Sequence, residues 1–312
     1  MEEKNKNLKI YSSAILFSLI VGFSFLAVKV CVKWATPLET LTYRFNFAFL
    51  GSLIPVILGL IKIEIAGKPK KNIMLTAGFY LGFMLLQTIG LLYASSIESG
   101  IIFAIIPILT KIFARFLLGE KGNWKQNLFV GITVASVVAM FVFSVQDYQA
   151  VSITGLVILF LSSISMAVSN VYMRHTRHEY GPYAITFAIT ASGCVVFNIA
   201  TLAFGLTTGT LSDYFAPLAN AEFIYATAFL GIPSTFITSV IMAYMLANME
   251  AVKATVFGNL STAISIVVGI IILSEPFHAY HIICTTLIII GVIGTSKNGN
   301  DEQEDLKQEI EK

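Results

Sequence analysis

Apolar residues run through this chain in stretches of about 20, separated by short segments that hold charges, glycines and prolines. A helix of about 20 apolar residues crosses a hydrocarbon layer of roughly 30 Å. The pattern therefore predicts an all-α integral membrane protein with ten transmembrane helices, near residues 10–31, 37–61, 73–95, 99–118, 126–145, 153–173, 183–206, 222–247, 251–273 and 278–296. The connections are short except 207–221, which leaves no room for a separate soluble domain.

The composition excludes an ordinary soluble protein. Hydrophobic residues make up 56% of the chain, charged residues 12%, and the mean hydropathy is +0.80. The net charge of +2 and the scattered basic residues exclude a nucleic-acid-binding protein. The three cysteines are widely spaced and lie in no metal or redox motif, so we expect neither a metal nor a cofactor.

Charge placement predicts the orientation. With the amino terminus in the cytoplasm, most Lys and Arg residues fall in inside segments, and the outside loops hold Lys33 alone. This distribution follows the positive-inside rule and places both termini in the cytoplasm. The usage of Ile, Lys and Asn favours a bacterial inner membrane, and residues 297–312 are expected to form an acidic cytoplasmic tail.

The two halves of the chain are weakly similar. Pro37 corresponds to Pro182, 145 positions later, and Leu118-Gly119-Glu120 corresponds to Leu273-Ser274-Glu275. We predict two repeats, 1–150 and 151–296, with five helices each. An odd number of crossings gives the repeats opposite polarity, an arrangement that is typical of secondary transporters.

A family resemblance rests on particular residues of both repeats. They are Pro37, Arg44 and Phe45 in the second helix, Pro107, Gly119 and Glu120 in the fourth, and the corner Ser274-Glu275-Pro276. On these the chain resembles the drug/metabolite transporter superfamily, in particular its EamA type. The resemblance implies a ten-helix protein built of two five-helix repeats, with export of amino acids or related metabolites as the leading expectation.

Two cations are predicted deep in the bilayer, Lys111 in the fourth helix and Arg44 in the second. Such charges are costly there and normally face a cavity or a partner. Since no Asp or Glu is predicted near mid-membrane, a proton relay is not indicated, and a positive cavity suits a substrate that carries a carboxylate or phosphate. The alternatives are a structural hydrogen-bond hub at Lys111, and carbonyl capping or an ion pair with Glu39 for Arg44.

Neutral polar residues complete the predicted substrate site, which comprises Lys111, Gln87, Asn259, Arg44, Ser169 and Thr238. Ser162, Ser165 and Ser169 recur at helical spacing, and such small polar residues also join membrane helices to one another. Structural and substrate-binding interpretations therefore both stay open for these positions.

The prediction is a secondary transporter that works by alternating access. An importer or exchanger of sugar phosphates, nucleotides or organic acids is the alternative within transport. The chain contains no HExxH, no GxSxG and no paired intramembrane carboxylates, so an enzyme is not expected. The expected partners are a small-molecule substrate, with a carboxylate-bearing one favoured, and the lipid bilayer, while the oligomeric state stays open.

Overall fold

The computed structural model of this protein describes residues 2–65, 67–90, 92–93, 102–120, 123–144, 153–273 and 279–298. Across these residues the regular secondary structure is helical, without a β-strand. Its main helices are α1 (Glu2–Cys31), α2 (Pro37–Ile57), α3 (Lys70–Gly90), α4 (Ile106–Leu118), α5 (Trp124–Ser144), α6 (Ile153–His175), α7 (Pro182–Thr208), α8 (Ala221–Asn248), α9 (Ala251–Thr255 and, after a turn, Phe257–Leu273) and α10 (Ala279–Lys297). Short 3₁₀ helices follow α6 at Thr176–His178 and precede α8 at Leu211–Ala219.

The helices coincide with the predicted apolar stretches, and an all-α membrane fold is confirmed. Five of them are long and apolar enough to cross a bilayer by length and composition: Asn7–Val28, Lys70–Gly90, Ile153–His178, Pro182–Thr208 and Ala221–Asn248. Many large apolar side chains point outward, including Phe116 at 81% exposure, as expected of a surface that faces lipid. The predicted corner at 274–276 and the tail beyond residue 298 lie outside the described residues.

Capping explains where several helices begin and end. Thr36 and Glu39 form a capping box at the start of α2, with Pro37 in the first turn. Asn220 accepts the first backbone N–H groups of α8. Gly119 ends α4 with φ of 72°, a left-handed conformation that glycine adopts without steric cost. The Glu39 carboxylate therefore caps the start of α2.

Three helices are interrupted within the bilayer region. A turn at residues 104–105 precedes Pro107 in α4, and a turn at Val256 divides α9. Ile232–Ile237 of α8 forms a π-helix around Pro233, which has no N–H for the helical ladder. Prolines accompany the distortions in α4 and α8, whereas α9 has no proline at its turn.

The most extensive helix contacts join helices of different repeats. Helix α3 packs on α6 and α1 packs on α8, while α4 packs on α6 and α1 on α9. Suppose that each helix is replaced by its equivalent in the other repeat. The α3–α6 contact then becomes the α8–α1 contact, and the α4–α6 contact becomes the α9–α1 contact. The α2–α7 and α5–α10 contacts stay the same. This is the packing expected of an inverted repeat. It produces two mixed bundles, which we term the first bundle (α3, α4, α6, α7) and the second bundle (α1, α2, α8, α9).

Gly231 allows α8 to approach α2 closely. A Cβ atom built there would lie 2.4 Å from the Phe47 Cβ and 2.7 Å from the Arg44 carbonyl oxygen. We expect Gly231→Ala to lower stability by about 1–3 kcal/mol, because the two backbones must separate. Thermal unfolding of the purified protein in detergent measures this. Gly131→Ala on α5 is the control, since a Cβ there meets nothing within 4 Å; equal melting temperatures for the two variants would contradict the close contact.

Candidate functional site

Arg44 of α2 contacts the π-helix of α8. Its Nε donates a hydrogen bond of 2.6 Å to the Thr235 hydroxyl, and its Nη2 lies 3.5 Å from the Ser234 hydroxyl. Thr235 in turn donates to the Leu230 carbonyl, five residues back, at 2.8 Å. Thr238 donates to the Ser234 carbonyl at 2.6 Å. The structure therefore brings two predicted site residues, Arg44 and Thr238, to the same distorted segment.

The Arg44 guanidinium has no carboxylate partner among the described residues. Glu39, its predicted ion-pair alternative, accepts the Thr36 backbone N–H and hydroxyl, both at 2.8 Å. The described hydrogen-bond partners of the guanidinium are thus the Thr235 and Ser234 hydroxyls. Tyr80 is 6% exposed, and its hydroxyl has no hydrogen-bond partner in the described part of the chain. Arg44 and Tyr80 belong to different bundles.

Asn259 joins two of the three interrupted helices, α9 and α4. Its Nδ2 donates to the Ala104 carbonyl at 3.4 Å. The Ala104 carbonyl can accept this bond because the Ile108 N–H, its usual helical donor, donates instead to the Ile105 carbonyl at 2.9 Å. Asn259 is 3% exposed, so its amide has a structural role at the contact between the first and second bundles.

Lys111 lies in a polar network that extends from α4 to the start of α9. Its Nζ donates to Gln126 Oε1 at 3.0 Å and to Asn127 Oδ1. Gln126, fully buried, donates at 2.7 Å to the carboxylate of Glu250, which is 7% exposed. These contacts support the structural-hub interpretation of Lys111. Among the described residues they connect Lys111 to neither Gln87 nor Asn259.

Arg174 forms a second network at the same membrane side. Its Nε forms an ion pair with Glu120, and its Nη1 donates to the carbonyls of Met249 and, at 2.7 Å, Leu246. The Ala251 N–H donates to the other Glu120 oxygen at 3.2 Å. Arg174 is 3% exposed. The network joins the ends of α4 and α6 in the first bundle to α8 and α9 in the second.

The serines of α6 donate to successive carbonyls of α3. Ser162, Ser165 and Ser169 donate to the carbonyls of Phe83, Phe79 and Thr76 at 2.9, 2.8 and 2.9 Å. The contacts favour helix joining as the role of Ser169. Gln87 is half-buried near the end of α3, has no hydrogen bond among the described residues, and stays a predicted site residue.

Sequence reasoning missed several polar contacts. Tyr80 precedes Gln87 by seven residues, a spacing that places both on one helix face and could have identified it. The amides of Asn46 and Asn198, 2.5 Å apart across α2 and α7, had no local signal because they lie 152 residues apart in the chain. In the sequence, Arg174 counts only as one of the basic residues of the inside segments, because its partners lie 54 to 75 residues away in the chain.

Known proteins resemble this chain over nearly its whole length. A model of the EamA-like transporter family matches residues 8–142 and again 153–297. The Uncharacterized transporter YcxC of Bacillus subtilis (strain 168) is 36% identical over 296 residues, 95% of each chain. An uncharacterized transporter of Archaeoglobus fulgidus is 25% identical over 272 residues, 87% of this chain and 92% of its own. One solved structure, titled "Crystal structure of protein", shares the fold with a TM-score of 0.77 at 13% identity, covering 92% of this chain and 96% of that one.

Removal of Arg174 should be strongly destabilising. Arg174→Gln leaves Glu120 and two carbonyls without their donor, and losing one partner of a buried pair costs about 3–5 kcal/mol. We expect a clear fall in the melting temperature of the purified protein. Arg115→Gln, at an exposed position of α4, is the control and should change it little.

The double variant Arg174→Gln, Glu120→Gln tests whether the two residues act together. It should be less destabilised than the sum of the two single variants, because the orphaned carboxylate is also removed. Additive losses would show that Arg174 acts independently of Glu120.

Proposed function

Because this chain belongs to the EamA-like transporter family, it is a membrane transporter and not an enzyme, and we propose that it exports amino acids or related metabolites by alternating access. The observation that carries the proposal is the Arg174 network, which closes the contact between the two bundles at one membrane side. The network consists of side-chain contacts to helix ends, which can separate without disrupting either bundle. A carrier needs such a closure on one side of its substrate site at a time.

The moving units in this proposal are the mixed bundles. Tightly packed helices shift together, whereas contacts between packed units can rearrange. Helices of one repeat pack mainly against helices of the other, so the sequence halves cannot separate as rigid bodies. We therefore assign alternating access to rocking of the first bundle against the second, and not to rocking of one sequence repeat against the other.

Opening the closed side must break specific contacts. The Arg174 guanidinium would leave the Leu246 and Met249 carbonyls, and the Ala251 N–H would leave Glu120. The hydrogen bonds that connect Lys111 to Gln126 and Gln126 to Glu250 would also have to break at some point. A substrate can drive this change only by binding more tightly to the open form than to the closed form.

Membrane location and orientation form part of the proposal. The described carboxyl-terminal end lies on the side of the Arg174 network, because α10 ends beside the start of α5, where Asn123 donates to the Asn298 carbonyl at 2.6 Å. The positive-inside distribution supports assigning this side to the cytoplasm of a cell membrane. The structure would then correspond to a form that is closed towards the cytoplasm.

A second candidate is an importer or exchanger of anionic metabolites such as sugar phosphates, nucleotides or organic acids. Arg44 favours it, because the described residues supply no carboxylate to balance its charge. Both candidates use the same alternating-access mechanism and differ in cargo and direction.

Counterflow in proteoliposomes tests the proposal. Vesicles preloaded with unlabelled amino acids should accumulate the labelled amino acid transiently, and the initial rate should saturate with concentration. Flux without saturation or counterflow would indicate a channel and contradict a carrier. Counterflow of sugar phosphates or organic acids, with none for amino acids, would select the second candidate.

The direction of transport needs intact cells. Cells that express the protein and are loaded with a dipeptide should release the liberated amino acids faster than cells that lack it. Faster uptake with unchanged release would contradict export.

A further inference from the structure

We propose that a groove between α1 and α8 binds one phospholipid with an ethanolamine headgroup. The lipid phosphate contacts Lys33, the ammonium contacts Glu222, and an acyl chain lies along the groove. Both helices belong to the second bundle, so the site does not depend on which metabolite the protein carries or in which direction.

The groove has apolar walls and is open to the membrane. It has a volume of about 640 Å³. Its walls are formed by Phe23, Leu26 and Val30 of α1 and by Tyr225 and Phe229 of α8. Phe23 is 40% exposed and Tyr225 is 77% exposed, so these side chains face the surrounding lipid and not the protein core. A hydrocarbon chain can therefore enter the groove from the side.

Two alanines explain why the surface is hollow at this place. Ala27 of α1 and Ala226 of α8 line the groove, and both also pack against the buried cluster that contains Phe223 and Leu230. Their short side chains leave space between the larger side chains of the walls. An acyl chain in this space gains many weak dispersion contacts, which together stabilise its binding.

The groove carries one charge of each sign. Lys33 and Glu222 both line it, and both side chains are exposed. They form no ion pair with each other or with any other residue that the structure describes. A zwitterionic headgroup supplies the two missing charges in one molecule. Its phosphate accepts hydrogen bonds from the Lys33 ammonium, and its own ammonium donates to the Glu222 carboxylate.

The charges lie at the level of the lipid headgroups. Glu222 is the second residue of α8, and Lys33 follows the last residue of α1 by two positions. Phe229 lies about 10 Å deeper than Glu222 at the rise of an α-helix. The other end of α8 carries the Arg174 contact at Met249, so the charged mouth lies at the opposite membrane surface. In the proposed orientation this surface is the outer leaflet.

The two charges also select among headgroups. A choline headgroup has no N–H that could donate to Glu222. A glycerol headgroup is anionic and places its negative charge near the Glu222 carboxylate without an ammonium to balance it. Ethanolamine provides both the phosphate and a hydrogen-bonding ammonium, and it is therefore the headgroup that the groove should prefer.

A second copy of the chain is the other candidate occupant. A two-fold contact brings the same surface of both copies together. The groove would then face itself, and its hollow would stay unfilled between the copies. A lipid fills the groove without this difficulty and is already present in the bilayer, so we assign the groove to lipid.

Thermal unfolding of the delipidated protein in detergent tests the assignment. Dioleoyl lipids with ethanolamine, choline or glycerol headgroups are added separately, so that the acyl chains are identical. The ethanolamine lipid should raise the melting temperature most and the glycerol lipid least, because binding stabilises the folded state. Equal shifts for the three lipids, or no shift, would overturn the proposal.

Charge variants locate the headgroup, with affinities measured by lipid titration in native mass spectrometry. Lys33→Gln should weaken binding of both the ethanolamine and the choline lipid about threefold, since it removes the contact to their shared phosphate. Glu222→Gln should weaken binding of the ethanolamine lipid alone and abolish its preference. Lys62→Gln, at an exposed position outside the groove, is the control. Unchanged binding in both groove variants would contradict the headgroup assignment.

Ala226→Leu tests the groove without changing a charge. The larger side chain should occupy the hollow and weaken binding of the ethanolamine lipid, whereas Ala203→Leu, at an exposed position of α7 outside the groove, should bind normally. Native mass spectrometry reads the affinity of the folded protein, so a loss of stability in the variant does not imitate the expected result. Normal lipid binding in Ala226→Leu would overturn the site. A dimer that Ala226→Leu dissociates, with no preference among lipids, would assign the groove to a second copy and also overturn it.

Discussion

The hydrocarbon layer supplies no water, so every backbone carbonyl that leaves the helical ladder needs a donor from within the protein. The interrupted helices of this chain show how the need is met. Thr235 donates to the Leu230 carbonyl in the π-helix, and Asn259 donates to the Ala104 carbonyl before α4. The donors come from hydroxyl and amide side chains.

The same constraint governs the charges. Arg174 and Lys111 each lie in a network whose acceptors include a carboxylate, and both networks join different helix ends. Their charges are balanced within the protein and stabilise one arrangement of the bundles. Arg44 is held by neutral hydroxyls of the π-helix instead, and none of the described carboxylates forms an ion pair with it.

The inverted repeat accounts for how such a contact can rearrange. Equivalent helices of the two repeats occupy equivalent positions, and each bundle draws helices from both repeats. The serine contacts between α3 and α6 lie inside the first bundle, whereas the Asn259 contact crosses between bundles. In the proposed transport cycle, hydrogen bonds inside a bundle preserve its shape, and hydrogen bonds between bundles break and form.

The sequence by itself determined the membrane fold, the number and placement of the helices and the inverted repeat, because apolar length, charge asymmetry and odd crossing number are local or additive properties of a chain. It also placed Arg44 and Thr238 in one predicted site together with Lys111, Ser169 and Asn259, and the structure brings Arg44 and Thr238 to the π-helix of α8. Contacts that only the tertiary structure shows favour structural interpretations of Lys111, Ser169 and Asn259, and most of the partners in these networks lie far away in the chain. Gln126 and Glu250, for example, are 124 residues apart. Whether a carboxylate balances the charge of a buried cation depends on which helix ends meet in the fold. No local sequence pattern contains that information.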